Sequence, residues 1–150
     1  MSRYELRSAR KEDLEFLFEV STKAMLPVRR VDNPNFQPNL EEEFKEYAQK
    51  FIPEKIKVIQ FEKKDVGRLR VVRTSSEIYI GGIQILPMYQ NKGIGSAIFE
   101  DIVKESEKLK VPIKLEVAKV NKRAQKFYES FGFVTVGEKG TDWIMRYEVN

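Results

Sequence analysis

Gly93 and Gly95, spaced one apart directly behind Lys92, open what reads as a helix straight after an apolar strand ending at Leu86. Glycines in a first helical turn let backbone N–H groups approach an anion without Cβ obstruction, and the helix dipole favours negative charge there. Lys92 adds a cation at the same place. The chemistry this suggests is the holding of a phosphate or pyrophosphate. Two familiar phosphate loops do not fit. A Walker loop needs Gly-Lys-Ser/Thr, whereas Lys92 precedes the glycines. The dinucleotide fingerprint needs a third Gly or Ala where this chain has Ile98.

The other reactive groups are limited by what is missing. The 150 residues contain no His and no Cys. That excludes Ser-His-Asp catalysis, a thiol nucleophile, disulfides and His- or thiolate-ligated metal. Carboxylates, Tyr, Ser/Thr, Lys, water and backbone groups remain. Tyr128 lies on the apolar face of a helix, where a core tyrosine is the plain alternative to a catalytic one. Glu116 alternates with Leu115 and Val117 on a strand expected to be covered on both faces; a salt-bridged carboxylate is its plain alternative. Glu77 and Tyr79 are further candidates for taking a proton. Gly81-Gly82 interrupts a strand that should be central, either as a bulge around a neighbour's side chain or as clearance for a reacting group.

These positions need a scaffold. Residues 3–8 read as a strand, and Lys11–Ala24 as a helix with Leu14, Leu17 and Phe18 at helical spacing. Met25–Asn39, with Pro27, Pro34 and Pro38, reads as a loop or a broken helix, in which Arg29 and Arg30 either face solvent or select an anion. Asn39 is placed to cap a helix running through Phe51, with Glu41, Glu42 and Glu43 in its first turn. Ile56–Glu62, Gly67–Arg73 and Glu77–Leu86 read as antiparallel strands joined through KKDVG and TSS. The rhythm then changes to helix Gly93–Leu109, strand Pro112–Ala118 and helix Asn121–Phe131, which Gly132 ends. Strands Phe133–Glu138 and Trp143–Val149 close the chain, with Trp143 and Tyr147 read as packing. Strand–helix–strand over residues 77–118 implies one parallel pair. The length suits a single domain, residues 1–150.

Charged residues make up 33% of the chain and the net charge is +4, with Lys and Arg interleaved with Glu rather than gathered in a stripe. That scatter reads as solvated helix faces, with no nucleic-acid partner. No run approaches a membrane-spanning length, and the N-terminus lacks an apolar signal core, so neither a membrane partner nor secretion is expected and the chain reads as cytoplasmic.

The motif set resembles the GNAT acetyltransferase superfamily. Gln90-Asn91-Lys92-Gly93-Ile94-Gly95 matches the family's Gln/Arg-x-x-Gly-x-Gly/Ala loop without a gap. Ile83-x-Ile85 with Pro87 and Tyr89 fits the strand before it. Leu115-Glu116-Val117 followed by Asn121-x-x-Ala124-x-x-Phe127-Tyr128-x-x-x-Gly132-Phe133 fits the second family motif, and LRSARKEDLEFL resembles the opening strand and helix. The resemblance implies an α/β, three-layer fold with a mixed, mostly antiparallel sheet and one parallel crossover at the cofactor site. It implies acetyl-CoA as cosubstrate, no metal, and a primary amine on a small molecule or peptide as acceptor, in a family whose members often form homodimers. The backbone of Ile83 and Ile85 would pair with the pantetheine arm. Gln90, Asn91, Lys92, Gly93, Ile94, Gly95 and Ser96 would form the pyrophosphate loop, with the amides from Asn91 to Ser96 as its donors. Asn121 would bond the cofactor, Tyr128 would be the general acid and Glu116 the first candidate for general base. Met25–Phe36 falls where family members build the acceptor wall. A phenol near 10 protonating a thiolate near 8.5 is uphill by roughly 2 kcal/mol, which a hydrogen bond can cover. The competing reading is a non-catalytic acyl-CoA-binding module of the same fold.

Overall fold

The computed structural model describes residues 4–149; Arg3, the first residue of the expected opening strand, lies outside them. Among the described residues, seven strands form one sheet in the order β1-β2-β3-β4-β5-β7-β6. They are β1 (Glu5–Ser8), β2 (Lys57–Phe61), β3 (Lys64–Arg73), β4 (Ile78–Ile85), β5 (Ile113–Ala118), β6 (Val134–Lys139) and β7 (Asp142–Tyr147). The helices are α1 (Leu14–Arg29), α2 (Leu40–Lys50), α3 (Ile94–Leu109) and α4 (Lys122–Glu129). β4 and β5 pair in parallel, Ile78 with Ile113 and Ile80 with Leu115, as the strand–helix–strand reading expects. β1–β2, β2–β3, β5–β7 and β6–β7 pair antiparallel. The chain thus has the mixed, mainly antiparallel α/β fold expected of it. Backbone contacts gather it into two compact units, Met1–Arg70 with Ile83–Ile94, and Val71–Gly82 with Gly95–Asn150.

In the first unit, Ala9, Leu17, Ile56 and Val58 form a buried cluster against which Phe16, Tyr47 and Phe51 pack. Asn39 caps α2 as expected, its side chain accepting the Glu42 N–H at 3.2 Å. Two expectations need correction. α1 does not stop at Ala24 but runs through Pro27 to Arg29. Proline in the last turn forfeits only its own N–H, and the helix still closes with Arg30 N–H on the Leu26 carbonyl at 3.1 Å. The β2–β3 turn is also tighter than the KKDVG segment. Glu62 and Lys63 alone form it, both with positive φ (51° and 67°), so β3 begins at Lys64. A two-residue turn of that conformation matches the twist of the paired strands well enough to hold two non-glycine residues there.

Arg7 links β1, the turn before α1 and the β2–β3 hairpin. Its guanidinium donates to both Asp13 oxygens at 2.9 Å and to Asp65 Oδ2 at 2.7 Å. Asp13 also accepts the Arg10 backbone N–H at 2.8 Å, and Asp65 accepts from Gln60 Nε2 at 2.9 Å. The guanidinium holds both carboxyls below the ordinary aspartate range.

In the second unit, Ile98, Phe99 and Ile102 of α3 are buried, as are Ile113, Leu115, Val117, Phe133 and Met145. Phe99 is the hub of an aromatic cluster, 5.2–5.9 Å from the rings of Phe127, Tyr128, Phe131 and Phe133. α4 ends at Glu129, two residues short of Phe131, and Gly132 takes the positive φ (95°) that turns the chain into β6. Gly140, also at positive φ, turns β6 into β7.

Candidate active site

The strand-to-helix passage lies in the first unit. Leu86 donates its N–H to the Val66 carbonyl of β3 at 2.9 Å. In an antiparallel pair alternate residues direct both backbone groups to the same side. Leu86 and Gln84 therefore face β3, while Ile83 and Ile85 direct their N–H and C=O groups to the opposite edge. On that edge Gln90 Nε2 donates to the Ile85 carbonyl at 2.9 Å. The Gln84 carbonyl approaches β3 so closely that a Cβ built on Gly67 would lie 2.4 Å from it.

After a single turn of 3-10 helix over Pro87–Tyr89, Asn91 and Gly93 have positive φ (62° and 82°), with Lys92 between them. Alternating backbone handedness turns successive N–H groups toward one concave side, the arrangement that cradles anions. Asn tolerates the left-handed conformation, and glycine adopts it freely. A Cβ built on Gly93 meets nothing within 4 Å, so the approach to this backbone is open. α3 starts at the next residue, Ile94. The loop combines an open glycine, a basic neighbour and N–H groups leading into a sixteen-residue helix.

The first unit gives Arg29 and Arg30 specific partners. Arg29 forms a two-pronged pair with Glu43 at 2.8 and 2.9 Å and lies 4.1 Å above the Phe36 ring. Arg30 Nε donates to the Phe36 carbonyl at 3.0 Å. Arg29 is exposed and Arg30 half-buried, and both fasten the α1–α2 connection. Sequence reasoning passed over Arg68. On β3 it is half-buried, with Nη1 donating to Gln84 Oε1 at 2.7 Å.

In the second unit, Asn121 precedes α4 and accepts the Ala124 N–H on its Oδ1 at 3.2 Å, capping the helix. Its amide NH₂ is thereby oriented by the cap. Tyr128 stacks on Phe99 at 5.3 Å with 26° between the rings, and burial pushes its phenol up to about 12. Its proton is firmly held at neutral pH. Full transfer to a thiolate near 8.5 would now be uphill by about 5 kcal/mol, so the group suits hydrogen-bond donation better than complete transfer.

Glu116 is not covered on both faces as expected. Along β5 the buried positions are Ile113, Leu115 and Val117, while Lys114, Glu116 and Ala118 are half-exposed. Glu116 retains 20% of its side-chain surface and meets Lys139 Nζ only at 3.9 Å. Of the two rivals, Tyr79 pairs in register with Lys114, whose Nζ lies 5.9 Å from its ring. Glu77 faces Arg146 at 4.0 Å and its backbone N–H bonds Thr74 Oγ1. β4 continues unbroken through Gly81 and Gly82, and its alternation of buried and half-exposed residues stops there. Trp143 lies beneath Lys119 at 4.6 Å, and Tyr147 donates to Glu107 at 2.8 Å while packing on Phe133. Among the described residues no group of acidic side chains is placed to hold a metal ion, and no helix is long and apolar enough to cross a membrane.

The fold is similar to several solved acetyltransferases. PaiA N-acetyltransferase from Thermoplasma acidophilum, in complex with coenzyme A, superposes with a TM-score of 0.77 at 20% identity, covering 99% of both chains. The Escherichia coli ribosomal-protein-S18-alanine N-acetyltransferase gives 0.64 at 20% identity, over 98% of this chain and 94% of that one. Arabidopsis thaliana Naa50, with the bisubstrate analogue CoA-Ac-MVNAL, gives 0.62 at 21% identity over 98% and 99%. No curated protein matches the chain in sequence. The family model described as an acetyltransferase (GNAT) domain matches residues 30–145, which include the strand, loop and helix motifs described above. The chain belongs to the GNAT acetyltransferase family.

Proposed function

We propose that the protein transfers the acetyl group of acetyl-CoA to a primary amine by direct attack of the amine on the thioester. The observation that carries this reading is the loop from Gln90 to Ile94, whose alternating φ signs, basic Lys92 and unobstructed Gly93 suit a pyrophosphate. The outward-facing backbone of Ile83 and Ile85 adds hydrogen-bonding groups for an extended, amide-containing arm, in the manner of an added strand. Gly95 and Ser96 supply further N–H groups in the first turn of α3, and the Asn121 amide supplies another donor.

Acetyl-CoA serves as acyl donor, and this chain's residues orient it and manage protons. The amine enters neutral, because a carboxylate near 4.3 cannot readily deprotonate an alkylammonium near 10.4. As the N–C bond forms and the C–S bond breaks, the proton leaving the nitrogen passes to water with Glu116 as the accepting carboxylate. Tyr128 donates a hydrogen bond to the departing sulfur, and solvent completes its protonation. Backbone N–H groups stabilise the developing oxyanion.

Calorimetry with acetyl-CoA, followed by thiol release against a panel of amines, tests this. Binding with amine-dependent thiol release is expected. Binding with no release from any amine would favour the non-catalytic CoA-binding module, and absence of binding would overturn the cofactor site itself.

A further inference from the structure

β3 meets β4 at Gln84 through two neighbouring residues of its own. Gly67 lets the main chains close. A Cβ built on it would overlap the Gln84 carbonyl oxygen and lie 3.3 Å from Ile85 Cα, so a side chain there would push β4 away. Arg68, the next residue, fixes the Gln84 side chain, its Nη1 donating to Oε1 at 2.7 Å. Two residues further along, Leu86 donates its N–H to the Val66 carbonyl at 2.9 Å. Val66, Gly67 and Arg68 together set where the chain runs from Gln84 to Leu86.

As a stabilising device this use of an arginine is expensive. Arg7 is matched by Asp13 and Asp65, and Arg29 by Glu43. No carboxylate acts on Arg68: burial disfavours its charge and Arg70 repels it, while the Tyr47 hydroxyl of α2 favours it. A charge held out of water without a counter-ion adds little to stability, and apolar residues would join two strands at lower cost. The arrangement does supply a fixed geometry. A hydrogen bond from a guanidinium is shorter and stronger than a neutral one, and here it falls on the residue between Ile83 and Ile85.

Ile83 and Ile85 direct their N–H and C=O groups to the edge away from β3, where the pantetheine arm is proposed to pair. Pairing requires those groups to be in line with the arm, because hydrogen bonds weaken steeply as their angle closes. A shift or rotation of β4 at Gln84 would turn both residues together. We infer that Arg68 is a positioning residue for the acyl donor: by holding Gln84 against β3 it aims the Ile83 and Ile85 backbone at the pantetheine arm. This rests on the acetyl-transfer reading and adds to it a residue that acts through Gln84.

The test is acetyl-CoA binding by calorimetry, below the melting range, for Arg68→Met, Gln84→Leu, the double variant and Gln84→Glu. Each of the first two is expected to weaken binding on the order of tenfold, the size of one hydrogen bond to a charged group. The double variant should bind no more weakly than either alone, because both changes remove one contact. Gln84→Glu keeps the acceptor and should keep the affinity. The nucleotide portion of CoA, which has no pantetheine arm, should bind all four variants as it binds the unmutated protein. Unchanged acetyl-CoA affinity in the single variants, losses that multiply in the double variant, or an equal loss for the nucleotide portion overturns the proposal. If Arg68→Met does not fold, Gln84→Leu against Gln84→Glu decides alone, and equal affinities overturn it. An unmutated protein that binds no acetyl-CoA would instead strike the parent reading.

Discussion

The side chain of Gln90 reaches back over the turn to the main-chain carbonyl of Ile85, 2.9 Å away, joining the end of β4 to the loop that leads into α3. The first residue of the phosphate-loop motif thus fastens the loop to its strand. Gln90→Ala is expected to weaken CoA binding on the order of tenfold by loosening the loop, equivalent to about 1.4 kcal/mol. Gly93→Trp is expected to abolish CoA binding while the protein stays folded, because the added ring would fill the open space over the loop. Calorimetry of both variants beside circular dichroism checks this; tight binding by Gly93→Trp would remove the loop from the cofactor site.

Tyr128→Phe keeps the stack on Phe99 and removes only the hydroxyl. Turnover should fall on the order of tenfold to a thousandfold, within or below the usual range for proton-transfer groups, while CoA affinity stays constant. The rate should not decline through ionisation of the phenol until the pH nears about 12, because burial raises that group. A variant with unaltered kcat would return Tyr128 to a packing role alone.

Asn121 has two separable duties, a cap through its Oδ1 and a proposed cofactor contact through its amide. Asn121→Asp retains an acceptor for the Ala124 N–H and should leave stability nearly unchanged, yet raise KM for acetyl-CoA. Asn121→Ala should also lose about 1 kcal/mol of stability with the cap. Equal KM values for Asn121→Asp and the unmutated protein would leave the residue as a cap only.

Arg7 makes stability depend on acid in a predictable direction. Its partners Asp13 and Asp65 have folded-state pKa values below the ordinary 3.8. Lowered carboxylate pKa values stabilise the fold above the unfolded value, and that contribution is lost as pH falls through the folded values. Unfolding midpoints in urea should therefore be flat near neutrality and drop below about pH 4. Arg7→Met should cost roughly 3 kcal/mol at pH 7, by leaving two carboxylates without their cation, and should flatten this acid limb. An acid limb unchanged in the variant would assign it to other carboxylates.

Much of this was legible before any coordinates. Asn39 precedes its helix as a cap, the buried face of α3 follows the 3.6-residue period, and the glycine loop joins a strand to a helix close to the expected residues. These are local signals, carried by residues within one or two turns of each other. The misses are tertiary. Pro27 reads as a breaker because nothing local reveals that the helix needs only two more residues beyond it. Arg29 is exposed as read, but its pairing with Glu43, fourteen residues away, leaves no local signal. Arg68 carries no local signal: its half-burial and its hydrogen bond to Gln84, sixteen residues away, are set by tertiary packing.

The partners of the Arg7 guanidinium lie 6 and 58 residues along the chain. Bringing the ends of the longer span together costs about 2 kcal/mol more loop-closure entropy than the shorter one. Asp13 can therefore meet Arg7 while the rest of the chain is still disordered, whereas Asp65 joins only when the β2–β3 hairpin docks on β1. The Asp65 contact is therefore expected to form after the Asp13 contact, and disrupting it should slow docking of the hairpin while leaving the local turn at Asp13 intact.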